Sequence, residues 1–172
     1  DPMKWTQVWH AENFPLWVEG NDATPRMHRV FIGGNRAGAV AIARNQNGDF
    51  ALVRQQRLAI ERELWEFPRG MSEETDADGV ATGLRELLEE TGFYGENGHS
   101  LGQIYPDSGI LAGHVEVVSC TVPPQERQAI DGEVDALQWV SLASLKEMIA
   151  SGQLQDAISL AAFSIWSLRN NS

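Results

Sequence analysis

The most informative stretch of the chain, residues 68–93, reads PRGMSEETDADGVATGLRELLEETGF. Its second half has the periodicity of an amphipathic helix that stops at Gly92. At about 100° per residue, Glu86, Glu89 and Glu90 share one face of this helix. We call these three residues the acidic face. The opposite face carries an apolar stripe suited to a core, formed by Val80, Leu84, Leu87 and Leu88.

The acidic face favours a compensating cation, because like charges at i,i+4 destabilise a helix by roughly 0.2–0.5 kcal/mol per pair. Carboxylate oxygens without His or Cys suit a hard ion, Mg²⁺ or Mn²⁺, which usually keeps waters and meets substrate phosphates. Taken without its neighbours, the same pattern also fits a solvated acidic helix face. The residues that precede the helix favour the metal interpretation.

The segment resembles the Nudix box of the Nudix hydrolases, Gly-x5-Glu-x7-Arg-Glu-U-x-Glu-Glu-x-Gly-U, in which U is apolar. Gly70 supplies the first glycine, and the run from Arg85 to Phe93 matches the whole second half. The first half departs from the pattern, since Asp76 replaces the first glutamate and eight residues rather than seven precede Arg85. We interpret this as a one-residue insertion in a loop, where extra length is tolerated. The candidates for the first acid are Asp76, Glu74 and Glu73.

The resemblance implies a metal centre and a hydrolytic reaction. Glu86, Glu89 and Glu90 are the expected ligands of Mg²⁺ or Mn²⁺, and the resemblance adds the backbone carbonyl of Arg69. Metal ions at such a site neutralise a diphosphate and lower the pKa of a bound water. Arg85 stays protonated and lies four residues before Glu89, so we expect it to orient a carboxylate, with a surface ion pair as the alternative.

Similarity to one subfamily, the ADP-ribose and ADP-sugar pyrophosphatases, extends over nearly the whole chain. It is carried by residues 52–57 (LVRQQR), 63–70 (ELWEFPRG), 101–109 (LGQIYPDSG), 139–142 (WVSL) and 149–157 (IASGQLQDA). It implies Mg²⁺-dependent cleavage of a nucleoside diphosphate-sugar, namely ADP-ribose or a related ADP-sugar, to AMP and a sugar phosphate. The subfamily's proline after the box would fall near Ser108, so the exact sugar stays open.

Three further residues are expected to bind substrate. Arg57 matches a subfamily arginine that contacts the diphosphate, and its forked guanidinium suits phosphate oxygens. Glu66 lies on the strand that enters the box, where it faces either the substrate or a structural partner. Arg69 completes the set. For Arg57 the alternative is a solvated arginine at a strand end.

The base that activates water is expected outside the box, because a metal-bound carboxylate is a poor proton acceptor. The loop 123–135 is rich in Pro, Gln and charge, and a mobile loop can close after substrate binds. Within it, Glu133 occupies the place where related pyrophosphatases carry a loop glutamate thought to act as base. Asp131 and Glu126 are the alternatives, and Glu89 is the next candidate.

Strand and helix signals along the chain predict an α+β fold, and the resemblance specifies a Nudix-type α/β/α sandwich with a central mixed sheet. One Nudix hydrolase domain is expected over residues 1–172, with N-terminal strands in about 1–36 and a catalytic core in 37–172. The expected strands are 39–44 and 50–54, joined by an Asn45–Gly48 hairpin, then 64–67, 101–105, 114–121 and 137–140. The expected helices cover about 78–91, 142–150 and a last helix capped by Asp156, whose core stripe is Ala157, Leu160, Ala161, Ile165 and Leu168.

Composition narrows the partners. The formal net charge of −11 argues against nonspecific binding to nucleic acid or to an anionic membrane. The single cysteine, Cys120, excludes an intramolecular disulfide, and no stretch reaches the ~20 apolar residues of a membrane span. We therefore expect a cytoplasmic protein. Trp5, Trp9 and Trp17 in a segment poorly suited to solvent favour a homodimer.

Two other functions remain open. The first is hydrolysis of another nucleoside diphosphate derivative, such as a dinucleoside polyphosphate or a GDP-sugar. The second is a non-catalytic domain that senses nucleotides, usually attached to a DNA-binding module. The complete acidic face favours catalysis over sensing.

Overall fold

Three short N-terminal strands form a small antiparallel sheet of their own. The computed structural model describes residues 4–33, 37–132 and 136–169. The N-terminal strands are β1 (Trp5–His10), β2 (Leu16–Asn21) and β3 (His28–Ile32), in that spatial order. The Val30 N–H donates to the Ile110 carbonyl, and the Ala112 N–H donates to the Val30 carbonyl. These bonds attach the small sheet to a loop of the larger unit.

A seven-stranded mixed sheet lies at the centre of the larger unit. Its strand order is β10-β5-β4-β9-β8, with β6 paired to β5 and β7 paired to β4. β4 and β9 are parallel, and the other pairs are antiparallel. The strands are β4 (Gly38–Asn45), β5 (Phe50–Arg57), β6 (Arg62–Glu66), β7 (Arg69–Gly70), β8 (Glu96–Ile104), β9 (Val115–Val122) and β10 (Leu137–Val140).

Helices cover both faces of this sheet. They are α1 (Gly79–Thr91), α2 (Leu142–Ala150) and α3 (Ala157–Arg169). Because successive side chains of a strand point to opposite faces, β4 supplies both cores. Val40 and Ile42 pack in the core that contains residues of α2 and α3, whereas Ala41 and Ala43 pack with Leu87 of α1. The predicted α/β/α sandwich with a mixed sheet is confirmed.

α1 approaches the sheet closely because small residues lie between them. Gly83 is buried, and a Cβ added there would lie 2.9 Å from the Val118 Cγ2 on β9. Ala41 and Ala43 line the sheet surface beneath the helix. A larger side chain at these positions would lift α1, and the acidic face with it.

Most predicted boundaries hold, and two strands are longer than predicted. Asp78 caps α1 by accepting the Ala81 N–H, and Gly92 ends the helix in the left-handed conformation at φ 78°. β5 continues to Arg57 because β6 pairs along it as far as Arg62. β8 begins at Glu96, five residues before the predicted start, because the polar stretch around His99 pairs with β9.

The predicted core stripe of α3 is only partly right, since Leu160 and Ile165 pack against the core and two other members do not. The structure buries Ser159, Ala162 and Trp166, while Leu168 is 80% exposed and Ala157 is exposed. The helix carries apolar residues nearly all round, so its periodicity does not select one face. A buried serine, which pattern reading treats as polar surface, lies on the true core face.

Candidate active site

Arg85 is the centre of a hydrogen-bond network that fixes the loop before α1. Its Nε and Nη2 each donate to the Asp76 carboxylate at 3.0 Å, and Nη2 also donates to the Met71 carbonyl at 2.7 Å. Its Nη1 donates to Glu86 Oε1 at 3.0 Å and to Glu89 Oε2 at 3.1 Å. These partners raise the pKa of Arg85, and the hydrogen bonds that Arg85 donates to Asp76 are the largest cause. Arg85 therefore orients two of the three residues of the acidic face.

Asp76, one of the three candidates for the first acid of the box, is bound directly by Arg85. Its carboxylate is nearly buried and also accepts the Glu73 N–H and the Thr82 hydroxyl, each at 2.9 Å. Arg85 is the main cause that lowers the pKa of Asp76 to about 2. Glu73 reaches Arg85 only at 3.4 Å and is 58% exposed, and Glu74 is exposed. Of the three candidates, Asp76 makes the closest contact with Arg85.

The carboxylates of Glu86 and Glu90 are the more buried members of the acidic face. Glu90 accepts the backbone N–H of Arg69 at 3.0 Å on Oε2 and the Gln55 amide at 2.6 Å on Oε1. Burial, followed by the charge of Glu86, raises the pKa of Glu90 to about 8, and burial also raises the pKa of Glu86. Gly70 lies against Glu86, since a Cβ at residue 70 would overlap the Glu86 carboxylate.

The donor set fits a hard divalent cation, although the three glutamates are not equivalent. Glu86 and Glu90 are oxygen donors that repel each other in a partly buried place, which a cation would relieve. Glu89 is 52% exposed and turned to Arg85. Within residues 4–33, 37–132 and 136–169, no three His, Cys, Asp or Glu side chains are already gathered as a metal cluster. A bound ion would require Glu89 to turn from Arg85, or other ligands to complete the shell.

Arg57 and Arg69, which we call the arginine pair, share one buried carboxylate. Arg57 donates to both oxygens of Glu66, which is fully buried, and this raises the pKa of Arg57. The Arg69 Nε lies 3.1 Å from Glu66 Oε1 in an ion pair that lacks hydrogen-bond alignment. The Arg69 Nη2 donates to Asp156 Oδ1 at 3.2 Å. Glu66 thus contacts both arginines, which corresponds to the structural-partner interpretation.

A cleft of about 560 Å³ brings the arginine pair and Glu86 together with an apolar wall. The polar end is formed by the arginine pair, Gly70 and Glu86. The apolar wall comes from the small N-terminal sheet, the loop before β9 and the start of α3. Its lining residues are Phe14, Val30, Ile32, Pro106, Leu111, Val115 and Ile158. The cleft can accommodate a ligand with anionic groups at one end and a flat or apolar group at the other.

The aromatic residues of the N-terminal segment differ in their relation to the cleft. Phe14 lines the cleft, whereas Trp17 stacks on Phe31 and Trp5 packs under the Arg29 guanidinium. Gln55 and Asp156 were not among the predicted site residues. Their partners are 35 and 87 positions away in the chain, so local spacing could not reveal them.

The predicted base, Glu133, lies outside the described residues. Of the two alternatives, Asp131 lies in a smaller cleft of about 290 Å³ that also contains Gln55, Glu89 and Glu90. Ala136, on the other side of position 133, lines the same cleft. Glu126 does not line it. The described residues on both sides of Glu133 therefore border the acidic face.

Comparison with known proteins establishes the class. A model of the NUDIX domain family matches residues 34–163, and the chain belongs to this family. An ADP-ribose pyrophosphatase of Mycobacterium tuberculosis (strain H37Rv) is 29% identical over 128 residues, which are 72% of this chain and 62% of that protein. An ADP-ribose pyrophosphatase of Bacillus subtilis (strain 168) is 29% identical over 124 residues, which are 70% of this chain and 66% of that protein. The chain thus spans just under two thirds of the length of these curated relatives.

A solved structure described as an ADP compounds hydrolase shares the fold. It superimposes with a TM-score of 0.73 over 96% of this chain and 93% of that chain, at 15% sequence identity. The likeness supports the architecture of the described residues. Every helix within those residues is too short or too polar to cross a membrane.

The Asp76–Arg85 pair should stabilise the fold in a pH-dependent way. Asp76→Asn removes the charged acceptor of Arg85, so we expect a loss of about 1–3 kcal/mol in the free energy of unfolding at neutral pH. The folded pKa of Asp76 lies below its ordinary value of 3.8. The contribution is therefore complete above about pH 4 and is lost as the pH falls to about 2.

Urea unfolding at neutral pH and in steps down to about pH 2.5 measures this difference. The difference in the free energy of unfolding between wild type and Asp76→Asn should shrink as the pH falls. Asp107→Asn, which changes an exposed aspartate, should stay within about 0.5 kcal/mol of wild type at neutral pH. A difference that stays constant with pH would show that the charge of Asp76 does not contribute to stability.

Proposed function

We propose that this protein is a Mg²⁺-dependent hydrolase that cleaves the diphosphate bond of ADP-ribose or a related ADP-sugar, giving AMP and a sugar phosphate. The main support is the cleft, in which the arginine pair and Glu86 lie at one end of an apolar wall. Both curated relatives are named ADP-ribose pyrophosphatase. A diphosphate between two sugars, one of which carries a base, matches this distribution of charge and apolar surface.

Each part of the site has a defined task in this proposal. The arginine pair binds the diphosphate oxygens, for which forked guanidinium groups are suited. Glu86, Glu89, Glu90 and the Arg69 carbonyl would hold Mg²⁺, or Mn²⁺ in its place. When bound, the metal neutralises the diphosphate and lowers the pKa of a water. Arg85 orients Glu86 and Glu89 through its hydrogen bonds.

Glu90 accepts hydrogen bonds from two donors that lie outside α1. The Gln55 amide and the Arg69 N–H fix both of its oxygens. Glu133 removes the proton of the attacking water in this proposal, with Asp131 and Glu126 as alternatives. Asp131 and Ala136, which lie on either side of position 133 in the chain, line the same cleft as Glu89 and Glu90, and this supports the role.

We further propose that residues 1–172 act as one Nudix hydrolase domain in the cytoplasm. The N-terminal sheet, within about 1–36, contributes Phe14, Val30 and Ile32 to the same cleft as the catalytic core in 37–172. Hydrolysis of a dinucleoside polyphosphate or a GDP-sugar is the alternative reaction. Nucleotide sensing without turnover is the other alternative, and the complete acidic face argues against it.

A substrate panel tests the proposed reaction. The protein with Mg²⁺ should release AMP from ADP-ribose, and omission of the metal should abolish this release. ADP-ribose left intact while dinucleoside polyphosphates or GDP-sugars are cleaved would support the alternative reaction. Saturable binding of ADP-ribose without any product would support sensing.

Glu90→Gln should lower turnover by about three or more orders of magnitude, because it removes a charge needed at the metal. The fold should survive or become firmer, since the repulsion between Glu86 and Glu90 is relieved. Glu147→Gln, a glutamate exposed on α2, is the matched control and should leave turnover unchanged. Near-normal turnover in Glu90→Gln, or an unfolded variant, would show that the acidic face is structural.

Glu133→Gln should lower kcat by roughly 10²–10⁴ while Mn²⁺ affinity, measured by calorimetry, stays nearly intact. The reason is that a general base acts on water and need not bind the metal. Asp131→Asn and Glu126→Gln test the two alternatives in the same assay. If Glu133→Gln keeps the wild-type kcat across the pH range, Glu133 is not the base and Glu89 becomes the next candidate.

A homodimer is proposed from the apolar surface of the small sheet. Val8 is 57% exposed, Trp9 is 53% exposed and Met27 is 41% exposed. Light scattering at micromolar concentration should give about twice the 19.0 kDa chain mass. Trp9→Glu should reduce the mass to that of one chain, whereas Leu168→Glu, at an exposed position on α3, should leave the dimer intact. A monomeric wild type contradicts the proposal.

A further inference from the structure

Asp156 joins the start of α3 to the cleft through a single buried carboxylate. Its Oδ2 accepts the Ser159 N–H at 3.0 Å and the Ser159 hydroxyl at 2.8 Å, which caps the helix. Its Oδ1 accepts from Arg69 Nη2 at 3.2 Å. The Asp156 side chain is only 8% exposed. A helix cap alone would leave the second oxygen free for water, whereas here that oxygen contacts an arginine of the cleft.

Arg69 is the residue that connects the two sides of the site. Its backbone N–H holds Glu90 on α1, while its side chain lines the cleft beside Arg57. A guanidinium has five N–H donors, and the contacts to Glu66 and Asp156 use Nε and Nη2. The two hydrogens of Nη1 lie outside these contacts. The position of the Arg69 guanidinium therefore determines how well those hydrogens meet an anion.

Glu66 alone is poorly placed to fix the Arg69 guanidinium. Both of its oxygens accept hydrogen bonds from Arg57, and its contact with the Arg69 Nε lacks hydrogen-bond alignment. Asp156 provides the hydrogen-bonded anion, which accepts from the Arg69 Nη2. The charge of Asp156 also contributes to the raised pKa of Arg57, so it lies within electrostatic reach of both arginines.

We propose that Asp156 is a positioning residue that holds the Arg69 guanidinium toward the diphosphate of the substrate, in addition to capping α3. This inference rests on the proposed function, because it assigns Arg69 to a diphosphate. A long arginine side chain loses rotamer freedom when it binds an anion, and a carboxylate that fixes it beforehand reduces that loss. The last helix of the fold thereby takes part in substrate binding.

Asp156→Asn separates the two tasks of the residue. Asparagine is as good an N-cap as aspartate and has the same size, so α3 should remain capped. The anionic partner of Arg69 is lost, and KM for ADP-ribose should rise by about 3- to 10-fold while kcat changes by less than about twofold, as expected for weakened ground-state binding. Ser159→Ala is the matched control.

Ser159→Ala damages the helix start without changing the charge of Asp156 or its contact with Arg69. It removes a donor to Asp156 and leaves the Phe67 N–H, which the Ser159 hydroxyl accepts at 3.0 Å, without that acceptor. The Tm should fall while KM stays near the wild-type value. If KM instead rises in proportion to the fall in Tm in both variants, Asp156 is only a structural residue and the inference is wrong.

A double-mutant cycle with Arg69→Met shows whether Asp156 acts through Arg69. In the Arg69→Met background, Asp156→Asn should raise KM by no more than about 1.5-fold. If the double variant instead raises KM by the product of the two single-variant factors, the two residues act independently and the inference is wrong. Circular dichroism of each variant confirms that the compared proteins are folded.

Binding of inorganic pyrophosphate with Mg²⁺, measured by calorimetry, separates this inference from the proposed reaction. Weaker binding to Asp156→Asn, but not to Ser159→Ala, supports the positioning role even if ADP-ribose proves not to be cleaved. The opposite result is also informative. If ADP-ribose is cleaved but wild type and Asp156→Asn bind pyrophosphate equally well, the proposed reaction is supported and the positioning role is contradicted. Wild type that does not bind pyrophosphate also contradicts it.

Discussion

The repulsion between partly buried carboxylates on α1 is the constraint that organises the site. Burial and the neighbouring charge of Glu86 raise the pKa of Glu90 to about 8, so the two side chains are costly to keep ionised together. The surroundings offset this cost with directed donors from Arg85, from Gln55 and from the backbone of Arg69. A divalent cation would complete the compensation that these hydrogen bonds only begin.

A second set of charges, at the same polar end of the cleft, has the opposite arrangement. Here two guanidinium groups face the cleft, and their counter-charges, Glu66 and Asp156, lie behind them in the protein. The sheet holds three of these four charges, since Arg57 lies on β5, Glu66 on β6 and Arg69 on β7. An anion entering the cleft meets cationic donors whose partners cannot compete for its place.

Features of the fold that depend on neighbouring residues were predictable from the sequence, and features that depend on distant pairing were not. The Asp78 cap and the Gly92 stop follow from residues within one helical turn. The early start of β8 depends on β9, and the buried face of α3 includes Ser159, which accepts the N–H of Phe67, 92 positions away. The contact of Asp156 with Arg69 likewise exists only in the folded chain.

The acidic face itself shows how tertiary contacts separate residues that the sequence treats alike. Glu89 and Glu90 are adjacent, yet Glu89 is exposed and already paired with Arg85, while Glu90 is fixed by donors from β5 and β7. Asp76 illustrates the converse, because a shorter acid on a longer loop still reaches Arg85 with both oxygens. The distance to Arg85 also separates Asp76 from Glu73, which reaches this arginine only at 3.4 Å. We therefore expect the position of a carboxylate, more than its spacing in the motif, to determine its role.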